Sequence, residues 1–265
     1  MSSLDDGGRR WIYGLQPARE AIAVHGAALR VLVEQRHREA EQLEALARFA
    51  TDRGARVERV ERAILDRLSQ GERHQGVAVE APPLKLLTPE ALRTVPDGGV
   101  PLIVALDELT DPQNFGAIVR SAVAMGATGV AWPEDRSAPI SGAMVRASVG
   151  AVEHARLCRV RSLPHLLAEL VAHDVAVVGL DASGPRLLQD TDLRGPTALV
   201  VGSEGKGLRR ATKNACSALA RLPMPGPIAS LNASVAAALA LYEVVRQRGT
   251  GALARDGHRD GHREP

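Results

Sequence analysis

Five polar residues stand where the sequence passes from a predicted strand into a predicted helix: Asn114, Arg120, Glu204, Ser230 and Asn232. Taken singly, each has an ordinary structural explanation. Asn114 and Ser230 suit helix capping, Arg120 suits a surface ion pair, and Glu204 suits a turn before a helix, where the dipole favours a carboxylate. Parallel strands, however, bring their carboxyl ends to one edge of a sheet, where α/β proteins form ligand crevices. The set together therefore indicates a functional site.

Two strand-loop-helix passages within residues 199–248 position most of this set. The first is ALVVGSEGKGL, an apolar strand at 199–201 that breaks into glycines around Glu204. The second is a strand at 220–222 followed by Pro223, Pro225 and Pro227, then by a long alanine-rich helix. A third passage, LIVALDEL followed by TDPQN, leads to a helix predicted over 115–125 with Asn114 as its cap. We expect these three loops to meet at one edge of a parallel sheet.

Common nucleotide and catalytic motifs do not explain these loops. The glycines of Gly202-x-x-Gly205-x-Gly207 are in the wrong order for a dinucleotide fingerprint, and Lys206 is followed by glycine, not by the Ser or Thr of a phosphate-binding loop. The loop TDPQNFG lacks a glycine-rich turn, and the sequence contains no G-x-S-x-G elbow. A different kind of ligand site is therefore required.

The rest of the chain alternates helix and strand, which predicts an α/β protein with two units. Residues 10–81 form a small α/β domain, and the proline-containing segment 82–99 is interpreted as a linker with one short helix. Residues 100–249 form the larger parallel-sheet domain. Tails at 1–9 and 250–265 are predicted to be disordered, although His258 and His262 leave metal binding in the second tail open as an alternative.

Composition excludes several classes of protein. No apolar run approaches the roughly 20 residues of a membrane helix, and the N-terminus has no apolar signal region, so a cytoplasmic location is expected. Cys158 and Cys216 have no partners at metal-ligand spacing, which argues against a disulfide framework or a metal site. The net charge of +2 does not point to any particular class of partner. The scarcity of aromatic residues disfavours a nucleic-acid-binding module that stacks bases on aromatic rings.

Three ordered segments, NFGAIVRSA, VVGSEGKGL and LPMPGPIASLNASVAAALALYE, resemble the motifs of the SPOUT-class RNA ribose 2′-O-methyltransferases. Two further segments, YGLQPAREAI and RHQGVAVE, resemble the substrate-binding domain of the bacterial 23S rRNA guanosine 2′-O-methyltransferase branch. The resemblance spans about residues 10–248. It implies an RNA-binding first domain, a second domain with a trefoil knot, S-adenosylmethionine as cofactor and a homodimer.

The resemblance also implies residue roles. The cofactor pocket would be lined by Gly202, Leu222, Met224 and Leu231, largely through backbone groups, and the reaction site would comprise Asn114, Arg120, Glu204, Ser230 and Asn232. Arg120 is the family's usual candidate base, but arginine stays protonated in proteins, so we favour phosphate binding or charge stabilisation with the base role second. Glu204 would orient its neighbours or accept the proton. A tRNA substrate and a non-catalytic RNA-binding protein are the alternatives, and the intact set argues against the latter.

Overall fold

The computed structural model describes residues 8–35, 40–95, 98–138, 140–228 and 230–249. The predicted tail at 1–9 is described only at its last two residues, and the tail at 250–265, with His258 and His262, lies outside the described residues. Within the described ranges the chain forms two sheets, one of four strands and one of seven. No helix in these ranges is long and apolar enough to cross a bilayer.

The first sheet has the order β1-β4-β2-β3. Its elements, in chain order, are β1 (Arg10–Tyr13), α1 (Leu15–His25), β2 (Arg30–Glu34), α2 (Ala40–Asp52), β3 (Arg56–Val60), α3 (Arg62–Ser69) and β4 (Val77–Ala81). Strands β2 and β3 are parallel, whereas β4 runs antiparallel to β1 and β2. Sequence reasoning missed β1, because a four-residue strand that pairs with residues some 70 positions away carries too short a pattern to recognise.

The predicted linker carries a short helix, α4 (Pro89–Arg93), as expected. The segment also attaches to the second sheet: the backbone N–H of Leu87 donates to the carbonyl of Leu157, and Leu92 is fully buried in the core beneath that sheet. Arg156 donates to the carbonyls of Ala91 and Thr94 and holds the helix in place. The domain boundaries themselves stay predictions.

The second sheet has the order β7-β6-β5-β10-β8-β11-β9, and every pairing in it is parallel. This confirms the predicted parallel α/β domain, while the trefoil knot stays a prediction. Its elements are β5 (Leu102–Asp107), α5 (Pro112–Ala124), β6 (Gly129–Pro133), α6 (Gly142–Ala147), β7 (Leu157–Val160), α7 (Leu163–Ala172), β8 (Ala176–Leu180), β9 (Arg186–Leu187), β10 (Thr197–Gly202), α8 (Arg210–Ala215), β11 (Ala218–Arg221) and α9 (Ala233–Arg248).

Central strands β5 and β10 are buried along their whole length, as the apolar runs predicted. Helices α5 and α9 pack against each other on one face of the sheet, and α7 and α8 pack together. Leucines of α7, together with Leu92, complete the core on the α7 side. The strands thus form a rigid platform from which the polar loops project.

A buried ion pair joins the first sheet to a 3-10 turn (Ala151–His154) that follows α6. The guanidinium of Arg10, at the start of β1, donates through Nη1 to Glu153 Oε1 at 2.7 Å and through Nη2 to the other carboxylate oxygen. The two side chains are 1% and 0% exposed, and His25 adds a third contact to the same carboxylate at 2.9 Å. Although burial opposes ionisation, the hydrogen bonds from His25 and Arg10 lower the pKa of Glu153. This pairing fixes the first unit against the α5–α6 side of the second.

Candidate functional site

The carboxyl ends of β5, β10, β8 and β11 form the edge at which the predicted site residues meet. Gly202, the last residue of β10, is level with Asp107, the last residue of β5. The loop after β5 leads into α5, the loop after β10 carries Glu204, and the loop after β11 leads into α9. The strand order therefore gathers these three loops at one end of the sheet, with β8 between β10 and β11.

Three of the predicted reaction residues form one hydrogen-bonded cluster, which we call the amide–carboxylate cluster: Asn114, Glu204 and Asn232. The side-chain amide of Asn114 donates to Glu204 Oε1 at 2.7 Å. The amide of Asn232 donates to the same oxygen at 2.5 Å and to Asn114 Oδ1 at 3.0 Å. Two amides on one carboxylate oxygen fix the orientation of the carboxylate and leave its second oxygen available to accept from a ligand.

Asn232 has a second function as the cap of α9. Its Oδ1 accepts from the backbone N–H of Ser234 at 2.8 Å and from that of Val235 at 3.4 Å. One side chain therefore ends the proline-rich loop, begins the long helix and orients Glu204. The structure gives capping to Asn232 and not to Ser230, which is exposed and lies on the cavity described below.

The predicted cap at Asn114 is wrong. Helix α5 begins at Pro112, and Asp111 is its cap, accepting from the N–H of Gln113 at 2.9 Å. Proline suits the first helical position because its missing N–H would have had no helical partner. Asn114 consequently lies inside the first turn, is buried, and is free of a capping role, so its amide is committed to Glu204.

A cavity of about 300 Å³ opens beside the cluster between the loops after β8, β10 and β11. All four residues predicted to line a cofactor pocket lie on its wall: Gly202, Leu222, Met224 and Leu231. Glu204 and Ser230 lie on the same wall. Apolar side chains with a few polar groups in a space of this size are typical of a site for a small organic molecule.

Gly202 is required by the close approach of the loop that follows it. A Cβ at this position would lie 2.6 Å from the backbone nitrogen of Leu208 and closer still to the carbonyl of Gly207. Gly205 and Gly207 have positive φ angles of 77° and 64°, a region that glycine enters without strain. The loop can therefore fold back on the end of β10 and present Glu204 to the cavity.

Arg120 stands apart from the amide–carboxylate cluster. It lies six residues after Asn114 on α5, about 9 Å further along the helix axis, and its side chain is exposed. Within the described residues it has no hydrogen-bond or ion-pair partner. A single chain therefore brings together Asn114, Glu204, Ser230 and Asn232, but not Arg120.

Two cavity residues were missed by sequence reasoning. Asp181 follows β8 directly and pairs with Lys213 of α8, and both line the cavity. Burial opposes ionisation of Asp181, but hydrogen bonds from Lys213 and Ser183 lower its pKa. A carboxylate directly after a strand was the available signal, since that is where such sites are built. Nothing in the sequence indicated that Lys213 would be its partner.

A second missed pair anchors the Glu204 loop. Asp107, fully buried at the end of β5, accepts from the backbone N–H of Arg209 at 2.8 Å and from its guanidinium at 2.8 Å. Because Arg209 closes the loop after β10, this pair ties the loop to the neighbouring strand. Within the described residues no group of three or more His, Cys, Asp or Glu side chains could hold a metal ion.

Comparison with known proteins agrees with this architecture. The model of the SpoU rRNA Methylase family matches residues 101–242, and the model described as RNA 2′-O ribose methyltransferase substrate binding matches residues 11–87. A relative from Mycobacterium sp. (strain KMS), described as an uncharacterized tRNA/rRNA methyltransferase, is 39% identical over 89% of this chain and 76% of its own length.

Solved structures show the same likeness. The SpoU methyltransferase AviRb from Streptomyces viridochromogenes, in complex with AdoMet, is 29% identical, with a TM-score of 0.73 over 91% of each chain. An AdoMet-bound rRNA methyltransferase from Sinorhizobium meliloti is 25% identical, with a TM-score of 0.69 over 91% of this chain and 88% of its own. A structure described as giving insight into 2-OH methylation of C/U34 on tRNA is 28% identical, with a TM-score of 0.51, and covers 56% of this chain and 96% of its own. The chain therefore belongs to the SpoU rRNA methylase family, as the motifs predicted.

Proposed function

We propose that this enzyme, an S-adenosylmethionine-dependent RNA ribose methyltransferase by family, methylates the ribose 2′-OH of a guanosine in 23S rRNA. The observation that carries the proposal is the amide–carboxylate cluster at the rim of the cavity. A cofactor bound in the cavity and a ribose bound at Glu204 would be adjacent. Such adjacency is what an in-line transfer between two substrates requires.

The cavity suits S-adenosylmethionine, which supplies an electrophilic methyl group on a sulfonium when bound. We assign Gly202, Leu222, Met224 and Leu231 to the cofactor: their backbone groups would hydrogen-bond the adenine, and the apolar side chains of the other three residues would pack on it. Asp181 on the same wall is paired with Lys213, so this pair gives the cavity a polar side without a net charge.

On the ribose side, Glu204 carries the chemistry. Its Oε1 accepts from both Asn114 and Asn232, which fixes the carboxylate, and its Oε2 makes no hydrogen bond within the described residues. We assign Oε2 to accept from the 2′-OH, either to align it or to take its proton as the bond to the methyl carbon forms. Ser230, on the same wall, would hold the neighbouring ribose oxygen.

A homodimer would complete the site. Helix α9 exposes Val235, Leu239 and Tyr242, which recur at the spacing of one helix stripe although they are large and apolar. We propose that a second copy covers this stripe by two-fold symmetry. Arg120 is exposed on α5, the helix packed against α9, and would then bind the target phosphate or stabilise the developing alkoxide in the site of its partner.

Ribosomal RNA is favoured over tRNA by the extent of the likeness. The substrate-binding model matches the first unit, and the structure described as an rRNA methyltransferase covers 91% of this chain. The structure described in terms of tRNA covers only 56%. The choice of guanosine follows from the resemblance of YGLQPAREAI and RHQGVAVE to the guanosine-modifying branch.

The test is methyl transfer from labelled S-adenosylmethionine to separate pools of rRNA and tRNA, followed by mapping of alkali-resistant linkages. We expect label in 23S rRNA at a guanosine ribose. Label confined to tRNA would establish the alternative substrate, and label in neither pool would favour a non-catalytic RNA-binding protein. Arg120→Ala is expected to abolish transfer while S-adenosylmethionine binding persists, because Arg120 does not line the cavity.

A further inference from the structure

A second cavity, of about 230 Å³, lies at the same edge of the large sheet beyond β5, and we call it the arginine cavity. Three of its lining residues are arginines, one is an acid and the others carry no charge: Arg136, Arg161, Arg209, Asp135, Pro133, Ser162, Leu163 and Pro164. They come from the ends of β6 and β7, the start of α7 and the residue that anchors the Glu204 loop. The site proposed for methyl transfer uses none of them as a ligand.

Carboxylates beneath the cavity hold two of the arginines in place. Glu108 Oε1 accepts from Arg136 Nη1 at 2.9 Å and contacts Arg209 Nη1 at 3.1 Å, while Arg209 also pairs with the buried Asp107. Arginine has five N–H donors, so both guanidinium groups keep donors beyond these contacts. Glu108 and Arg136 have positive φ angles of 53° and 58°, so the backbone holds both ends of this pair in a region that residues other than glycine seldom adopt.

With one carboxylate, Asp135, in the cavity lining, the third arginine there is Arg161. Its side chain is exposed at the entrance to α7, and within the described residues it has no hydrogen-bond or ion-pair partner. The cavity lining contains no aromatic ring on which a base could stack. Planar guanidinium groups are suited to phosphate oxygens, which they bind in a bidentate manner.

The arginine cavity lies within reach of an RNA chain held at the amide–carboxylate cluster. Strand β5 separates β6 from β10 in the sheet, and neighbouring strands are about 4.8 Å apart, so the ends of β6 and β10 are about 10 Å apart. Glu204 follows β10 by two residues, and Arg136 follows β6 by three. The two sites are side by side on one edge.

We infer that the arginine cavity binds a backbone phosphate of the RNA, on a nucleotide that flanks the methylated one. This inference rests on the proposed function and adds a contact that sets the register of the RNA across the active edge. Phosphate contacts fix position and orientation without reading the sequence. The cavity therefore positions the target ribose, whereas the choice of base is made elsewhere.

The experiment compares the double variant Arg136→Gln and Arg161→Gln with a matched control, Arg194→Gln. Arg194 matches Arg136 in two respects: each arginine is 71% exposed, and each contacts its carboxylate partner, Asp192 or Glu108, at 2.9 Å. Arg194 differs in place, because it precedes β10 and so lies at the amino-terminal ends of the strands, away from the arginine cavity. The apparent KM for RNA is measured from about 50 to about 300 mM salt, because phosphate contacts weaken as the salt concentration rises. The Kd for S-adenosylmethionine and the Tm are measured on the same preparations.

We expect the double variant to raise the KM for RNA about tenfold, the effect of one charge-assisted hydrogen bond, and to lower the salt slope by about 0.7. Its Kd for S-adenosylmethionine and its Tm should equal those of the control. If the double variant has the KM and the salt slope of the control while the wild type still transfers methyl groups, the inference is overturned and the proposed function stands. A wild-type protein that transfers no methyl group to RNA would overturn both.

Discussion

Asn232 performs two functions that substitution can separate, because its carbonyl oxygen caps α9 while its NH₂ group holds Glu204. Serine keeps a capping oxygen but cannot donate to both Glu204 and Asn114, whereas alanine does neither. Loss of a cap costs about 1 kcal/mol. The hydrogen bond from Asn232 to Glu204 is open to solvent and adds little to stability.

We therefore predict that Asn232→Ala lowers the free energy of unfolding by about 1 kcal/mol relative to Asn232→Ser, which corresponds to a Tm about 2–4 °C lower. Methyl transfer should fall about 100-fold in both variants, because a misplaced catalytic group costs about that much. Thermal unfolding and single-turnover transfer of labelled methyl groups measure the two effects. A serine variant with wild-type turnover would refute the role of Asn232 in orienting Glu204.

Three other predictions concern the cavity and the buried ion pair. Gly202→Ala should raise the Kd for S-adenosylmethionine by more than about tenfold, because there is no space for a Cβ at this position. Gly195→Ala is the control and should leave the Kd unchanged, because a Cβ there meets nothing within 4 Å. Equilibrium dialysis measures both values. Arg10→Met leaves the buried carboxylate of Glu153 without its arginine and should cost about 3–5 kcal/mol in urea unfolding. The pKa of Glu153 is lower in the folded state than its ordinary value of 4.5. The ionised carboxylate therefore stabilises the wild type fully above pH 4.5, and this stabilisation is lost as the pH falls through the folded-state pKa. Unfolding midpoints measured across that pH range should drop more steeply for the wild type than for Arg10→Met.

Much of the active edge was predictable because its loops are encoded locally. The glycines around Glu204 and the prolines after β11 mark the ends of their strands within a few residues of sequence. All four residues predicted to line the cofactor pocket lie on one cavity. Helix α7 also has a local signature, since Ser162 and Pro164 mark its start and its leucines repeat at helical spacing.

Other features depend on contacts between distant parts of the chain. The pairing of Lys213 with Asp181, and that of Arg209 with Asp107, joins residues 32 and 102 positions apart. Helix α8, RATKNA, is short and polar, so it lacks the apolar period that identifies a helix. The error at Asn114 had a local cause, because Asp111 and Pro112 form an equally good helix start three residues earlier.

We propose that the cavity and the amide–carboxylate cluster are two halves of one methyl-transfer site. The most direct test of this proposal measures S-adenosylmethionine binding and RNA methylation side by side for Asn114→Ala, which disrupts the cluster, and Leu222→Arg, which fills the cavity. We predict that Asn114→Ala binds the cofactor like the wild type yet loses methyl transfer, and that Leu222→Arg loses both. Sustained methylation by Asn114→Ala, or undiminished cofactor binding by Leu222→Arg, would show that the cavity and the cluster do not act as one site.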